Sequence, residues 1–314
     1  MLGAVAEHRF LTQELLLLLF PPDAARTPLK AITAALEKRA AAAGRIAEFS
    51  GKYVGSNLGK RLRLLSRAGL LVRVARGLKP GTRVMKPSAY ALTAAGRKVL
   101  VASERLRRPA HAIGPAEKLY FVEHTLMIAR FRIGLALAVG ERASLELVES
   151  QREHQQLRFR WQDIEGHHRV CPDGFLVIID HSAPEGRNAR AAFLECDRGT
   201  MNGEDLLQKF EDYARFEASG RLEKLLGIAS ARIVTVAKDA TRASRLLTIA
   251  AETESRALES YRDRFLFTSE DAYRDAPTNV LAQIWRAADQ PTERASIIPS
   301  PIALRHSPSQ KEKP

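Results

Sequence analysis

The chain has 314 residues, long enough for two domains that each bury a core. Its formal net charge of +13 and pI near 10.0 exclude an ordinary near-neutral surface and point to a polyanionic partner. The surplus is local: from Lys52 to Arg108, fifteen Lys and Arg stand against one acid, Glu104, so the remainder is close to neutral. Such a field suits phosphate backbones, and by charge alone it suits an anionic membrane surface equally.

Residues 1 to about 101 read as helix, helix, helix, hairpin, helix. The first helix spans about 12–20 and stops at Pro21 and Pro22. Its leucine-rich run, Leu15 to Phe20, is far short of the roughly 20 residues that cross a bilayer. No basic segment with a small-residue cleavage site frames it, so no signal peptide is expected. The second helix covers about 28–43, ended by Gly44, and the third opens at Ser56 and ends near Gly69.

At helical spacing, Leu58, Leu62 and Leu65 share one face of that third helix, and Lys60, Arg63 and Arg67 form a stripe on the other, beside Arg61. The stretch 70–76 then alternates as a strand, 77–81 turns, and 83–92 returns. The hairpin carries Arg73, Arg76, Lys79, Arg83 and Lys86. A basic helix followed by a basic hairpin is what a winged helix-turn-helix uses, the helix in the major groove and the wing on flanking phosphates. The plainer reading is a solvated basic surface, against which fifteen cations with one acid give no i,i+4 ion pairs, and like charges repel.

A Pro- and Gly-containing stretch over 102–116 marks the boundary, giving a winged-helix domain over 1–108 and a second domain over 109–288. That second domain reads as a helix over 116–139 containing His124, a core histidine rather than a ligand. Strands follow at 145–153, 170–180 and 191–197, then an amphipathic helix at 204–218, a strand at 231–237 and a helix at 240–259. The pattern is α+β to α/β with a mixed central sheet. Residues 289–314, rich in Pro, Ser and Lys, read as a disordered tail in which 296–304 can add a short extended piece. Cys171 and Cys196, in apolar runs and without a CxxC partner, read as buried free thiols, consistent with a reducing cytoplasm.

Pro172-Asp173 opens an apolar run to Ile179, which places Asp173 on a buried strand. On the next strand, Glu195 and Asp197 share one face and Leu194 and Cys196 the other. Carboxylates converging from adjacent strands repel unless a cation lies between them, and Mg²⁺, with Mn²⁺ able to substitute, is the common solution. Asp173 and Glu195 are then its ligands, with Glu149 and Glu153 nearby on the preceding strand. The alternative is an ion-pair network of Asp173, Glu195 and Asp197 with Arg198, Lys209 or Arg169.

This spacing resembles the PD-(D/E)xK nuclease core, in which the two acids hold Mg²⁺ and a lysine positions the attacking water. The lysine position is Asp197 here, and Lys209, on the following helix, is the candidate to supply the missing ammonium. The resemblance therefore implies a catalytic set of Asp173, Glu195, Asp197 and Lys209 in a restriction-endonuclease-like domain. The fuller run is His124-Thr125-Leu126, Pro172-Asp173-Gly174, Glu195 to Thr200, and Lys209-Phe210 with Tyr213. Together with the winged-helix pattern, it resembles the replication-relaxation family of plasmid and mobile-element proteins. That resemblance implies a cytoplasmic accessory protein for DNA relaxation, replication or mobilisation. Its partners would be double-stranded DNA and a relaxase or replication protein, with no membrane; a homodimer and a Mg²⁺-dependent nickase activity stay open. The alternatives are a winged-helix transcription regulator and a non-catalytic scaffold that recruits a relaxase.

Overall fold

The computed structural model describes residues 2–19, 57–77, 87–102, 119–151, 157–164, 166–185 and 188–298. They belong to two compact units, Met1–Ile133 and Gly134–Pro314. The first contains α1 (Leu2–His8), β1 (Phe10–Thr12), α2 (Gln13–Leu19), α3 (Asn57–Arg67), β2 (Leu71–Val74), β3 (Ala89–Leu92), α4 (Ala94–Ala102) and most of α5 (Leu119–Gly140). The helix expected over 28–43 and the hairpin tip with Lys79, Arg83 and Lys86 lie outside the described residues.

Three strands form an antiparallel sheet in the order β1-β3-β2, with Phe10 opposite Ala91 and Val72 opposite Ala91 on the other side. Helix α1 and strand β1 went unanticipated: β1 is three residues long and buried at every one, so it offers no alternation to read. Helix α3 follows its periodicity. Leu58, Leu62 and Leu65 are 7%, 0% and 7% exposed, and burying each such side chain contributes about 1.5–3 kcal/mol. It stops where Gly69 takes a φ of 69° and Leu70 N–H donates to Leu65 O at 2.9 Å, a left-handed ending that glycine adopts without strain.

Charged residues tie the first half of α5 to the rest of unit 1. Glu123 takes a two-pronged ion pair from Arg76, at 2.9 and 3.0 Å. Arg130 lies 3.6 Å from Glu14 of α2. Arg132, buried, has its pKa lowered to about 10 by desolvation, against the pull of Glu7 in α1.

The second unit continues with β4 (Leu145–Gln151), β5 (Phe159–Asp163), β6 (Gly166–Val170), β7 (Gly174–Asp180), β8 (Ala189–Asp197), α6 (Gly203–Ala218), α7 (Arg221–Leu226), β9 (Arg232–Ala237), α8 (Ala240–Glu252), α9 (Arg256–Glu259), β10 (Phe265–Ser269) and β11 (Arg286–Ala287). Its central sheet is mixed, in the order β11-β10-β9-β8-β7-β4. β8, β9 and β10 are parallel, the remaining pairings antiparallel, and each parallel step is bridged by a helix, α6 and then α8, as such connections require. β5 and β6 make a separate two-stranded hairpin. The core between sheet and helices is aromatic: Phe193, Phe210, Tyr213, Phe216, Phe265 and Phe267 are all buried.

Two expectations are corrected here. The single strand read over 170–180 is two, because Pro172 lacks the N–H a ladder needs and residues 171–173 leave it. Cys171 therefore sits half-buried before β7, and Cys196 is buried within β8; both are free thiols. The tail read as disordered from 289 is ordered through 298. Trp285 and Ala295 form a bridge, Ile297 and Ile298 are buried, and Arg232 donates to the carbonyls of Ser296 and Ile297 at 2.9 Å each.

Gly96 in α4 gives this architecture a direct test. A Cβ there would stand 2.2 Å from Leu70 O, which is backbone and cannot swing aside. Gly96→Ala is expected to destabilise the protein by about 1–3 kcal/mol, the usual cost of overpacking, measured by urea denaturation. Unchanged stability would mean that α4 and the α3–β2 corner do not approach as described.

Candidate functional site

Strand β8 sends Phe193, Glu195 and Asp197 to the face covered by α6 and α8. Glu195 is 4% exposed, and a bare carboxylate there would be prohibitively costly, so donors converge on it. Lys209 Nζ donates to its Oε2 at 2.5 Å, and the Tyr213 hydroxyl donates to its Oε1. Both donors come from α6, four residues apart and therefore on one helix face. Leu206 and Phe210 on the same helix seal the surroundings. Burial pushes the Glu195 carboxyl up, helped by the Asp173 charge and opposed by Lys209 and Tyr213. Burial works against the Lys209 ammonium as well, but Glu195 and Asp173 outweigh it and its pKa is raised. The Tyr213 hydroxyl is held well above its ordinary value by burial and by Glu195.

Asp173 stands at the entrance to β7, where its Oδ2 accepts from Cys196 N at 2.8 Å, which ties β7 to β8. Burial next to Asp173 and Glu195 pushes the Cys196 thiol far up, so it stays protonated. Asp197 is turned to a different partner. Arg242 on α8 grips it with Nε at 2.5 Å and Nη2 at 3.2 Å and also donates to Met201 O at 3.0 Å. Glu195 with Lys209, and Asp197 with Arg242, are thus two adjacent neutralised pairs.

A shared divalent cation needs several carboxylate oxygens turned to one point. Both oxygens of Glu195 and both of Asp197 already accept from protein donors, and Asp173 uses one on the backbone. Among the described residues no group of three or more His, Cys, Asp or Glu is placed to hold a metal ion. The donor set as it stands does not fit Mg²⁺ or Mn²⁺. Glu149 lies on β4 opposite Val177, and Glu153 is outside the described residues. Sequence reasoning missed Arg242. Its only signal was its place three residues after the helix-capping Asp239, on the strand-to-helix turn next to Asp197.

In unit 1, Lys60 and Arg67 are exposed on α3, and Arg61 and Arg63 are half-buried beside them. Arg73 is exposed on β2, its Nε donating to Ser88 Oγ at 2.8 Å. Arg76 differs from these, since its guanidinium is engaged by Glu123 and by Pro87 O.

A second charged constellation was absent from the sequence reading. His168 of β6, 5% exposed, has Nδ1 at 2.9 Å from Asp212 of α6 and Nε2 at 2.9 Å from Asp163 of β5. Two acceptor carboxylates on one ring require both nitrogens to carry protons, an imidazolium. Burial opposes that charge, the two carboxylates outweigh it, and the pKa is raised. Trp161 stacks on the ring at 5.2 Å between centroids, while Gln208 and the Arg169 backbone N–H complete the shell around Asp212. A separate cleft of about 590 Å³ lies beside α8 and β11, lined by Ser244, Thr248, Glu252, Arg262 and Arg286 among others, and touches none of these groups.

The chain thus joins a basic helix-and-sheet unit to a mixed α/β unit with a charge-paired sheet core. The family model for replication-relaxation matches residues 2–230, and the chain belongs to that family. Membership suggests a role in replication or relaxation of plasmid or mobile-element DNA. No curated protein and no solved structure matches the chain.

Two outcomes follow from the paired charges. Lys209→Met leaves Glu195 buried without its cation and should cost about 3–5 kcal/mol, whereas Glu195→Gln with Lys209→Met should recover most of that loss in urea denaturation. A double variant no more stable than the single one would refute the pairing. For His168, a folded-state pKa above the unfolded value means that its stabilisation is complete below the unfolded pKa and is lost as pH rises through the folded one. The unfolding midpoint should therefore decline through neutral pH in the wild type, and His168→Asn should flatten that decline.

Proposed function

We propose that this protein binds double-stranded DNA as an accessory factor for relaxation, replication or mobilisation of a plasmid or mobile element, with residues 1–108 acting as a winged helix. The observation that carries the reading is α3. Its leucines face the core, Lys60 and Arg67 face solvent, and an antiparallel sheet follows directly. On this reading α3 enters the major groove with Lys60, Arg61, Arg63 and Arg67, and Arg73, Lys79, Arg83 and Lys86 meet flanking phosphates. Arg76 secures the hairpin base to α5 instead.

For the second unit we favour the scaffold over the nickase, because Lys209, Tyr213 and Arg242 already occupy the oxygens that Mg²⁺ would need. Its acids then hold the sheet and helices together, and its surface is free to recruit a relaxase or replication protein. Among the described residues no helix is long and apolar enough to cross a membrane.

Replacing Lys60, Arg63 and Arg67 with Ala in the full chain should weaken duplex binding more than tenfold at moderate salt, read by fluorescence anisotropy. Unchanged affinity would remove α3 as the recognition helix. In the same preparations, supercoiled plasmid with Mg²⁺ or Mn²⁺ should stay supercoiled. Nicking that disappears in Glu195→Gln would overturn the scaffold reading.

A further inference from the structure

The β5–β6 hairpin separates its side chains by period two more sharply than any other element in unit 2. Its ladder pairs Phe159 with Val170, Arg160 with Arg169, Trp161 with His168 and Gln162 with His167. The inward side is apolar and aromatic. Phe159 and Trp161 lie 4.7 and 5.6 Å, ring to ring, from Phe216 of α6, and Val170 is buried. The outward side carries Arg160, Gln162, His167 and Arg169, all exposed, and Arg158 just before the ladder is exposed too.

Two features of that outer face call for a partner. Arg160 and Arg169 are directly opposite, and like charges at about 4.5–5.5 Å between Cβ atoms destabilise a strand pair. Among the described residues, no side chain offers either of them, or Arg158, an ion pair or hydrogen bond. The acid at the end of β5, Asp163, has the parity of the inward side and is taken up by His168. The strands therefore hold three guanidinium groups together against their own repulsion.

We propose that the outer face of β5–β6 is a second DNA-contacting surface, in which Arg158, Arg160 and Arg169 bind the phosphate backbone of a duplex. Charge complementarity selects the occupant: guanidinium forks match phosphate oxygens in pairs, and the phosphates cancel a repulsion that no described side chain offsets. A two-stranded ribbon also has the width that the roughly 12 Å major groove accepts. These contacts are with phosphates and carry no base preference of their own. The inference rests on the DNA-binding reading above and extends it to the unit whose overall charge gave no hint of it.

The test uses the full chain and a labelled duplex across a salt series, comparing wild type, the α3 triple variant and Arg158→Ala/Arg160→Ala/Arg169→Ala. Each phosphate contact contributes about 0.9 to the slope of log affinity against log salt, so the hairpin variant should lose about 2–3 from the slope. Its affinity should fall at least tenfold at moderate salt, to the same extent on unrelated sequences. Its thermal midpoint should be equal to or above that of wild type, because the opposed charges are gone, which separates lost contacts from lost folding. Wild-type binding with an unchanged slope in the hairpin variant overturns this inference alone. A loss confined to one duplex sequence overturns it too, and a wild type that binds no duplex overturns both readings.

Discussion

A buried carboxylate sits in the second unit's sheet core, and much of the unit's arrangement answers to it. Glu195 can be ionised inside an aromatic core only if cation and hydroxyl donors arrive together, so α6 must present Lys209 and Tyr213 on one face, one turn apart. That fixes the rotation of α6 over β8, and the amphipathic spacing of Leu206, Phe210 and Ala214 follows the same rotation. The adjoining strip of the helix, Gln208 and Asp212, is thereby turned to the β5–β6 hairpin, where His168 closes on it. One buried acid thus orients a helix whose next strip docks a separate piece of sheet.

The sequence disclosed those parts of this arrangement whose signal is local. The faces of α3 were legible because leucines and cations alternate at helical period over three turns. The grouping of Glu195 with Lys209 was legible from strand parity together with the family-like spacing. Arg242 was not, since its approach to Asp197 depends on the parallel register of β8 and β9 across 45 residues of chain. The hairpin had a readable cue, Phe159 and Trp161 alternating with Arg160 and Gln162 ahead of Gly166, whose φ of 134° only glycine adopts readily. Its charged and histidine-rich composition hid that cue. The ordered segment through residue 298 was obscured in the same way, because Ile297 and Ile298 are buried inside an otherwise polar, proline-bearing stretch.

Counting charge located the basic module but could not sort its members. Arg76 adds to the total as much as Lys60 does, yet it forms a two-pronged internal bond to a helix 47 residues away. Conversely, three arginines in a nearly neutral region gather on one hairpin face through strand pairing alone. Net charge per segment describes the far field, whereas contact depends on which side of a strand or helix each cation occupies.

The small sheet of unit 1 also dictates when that unit can fold. Its first strand, around Phe10, pairs with Ala91, so the partner is synthesised long after β1 has left the ribosome. Until then Val5, Phe10, Leu11, Leu15 and Leu16, all fully buried in the finished protein, have no sheet to cover them. Closing so long a loop adds only modestly to its entropic cost, so the burden falls on rate and not on final stability. These apolar side chains therefore stay uncovered until the segment carrying β3 has been made, and the length of that interval is set by translation speed.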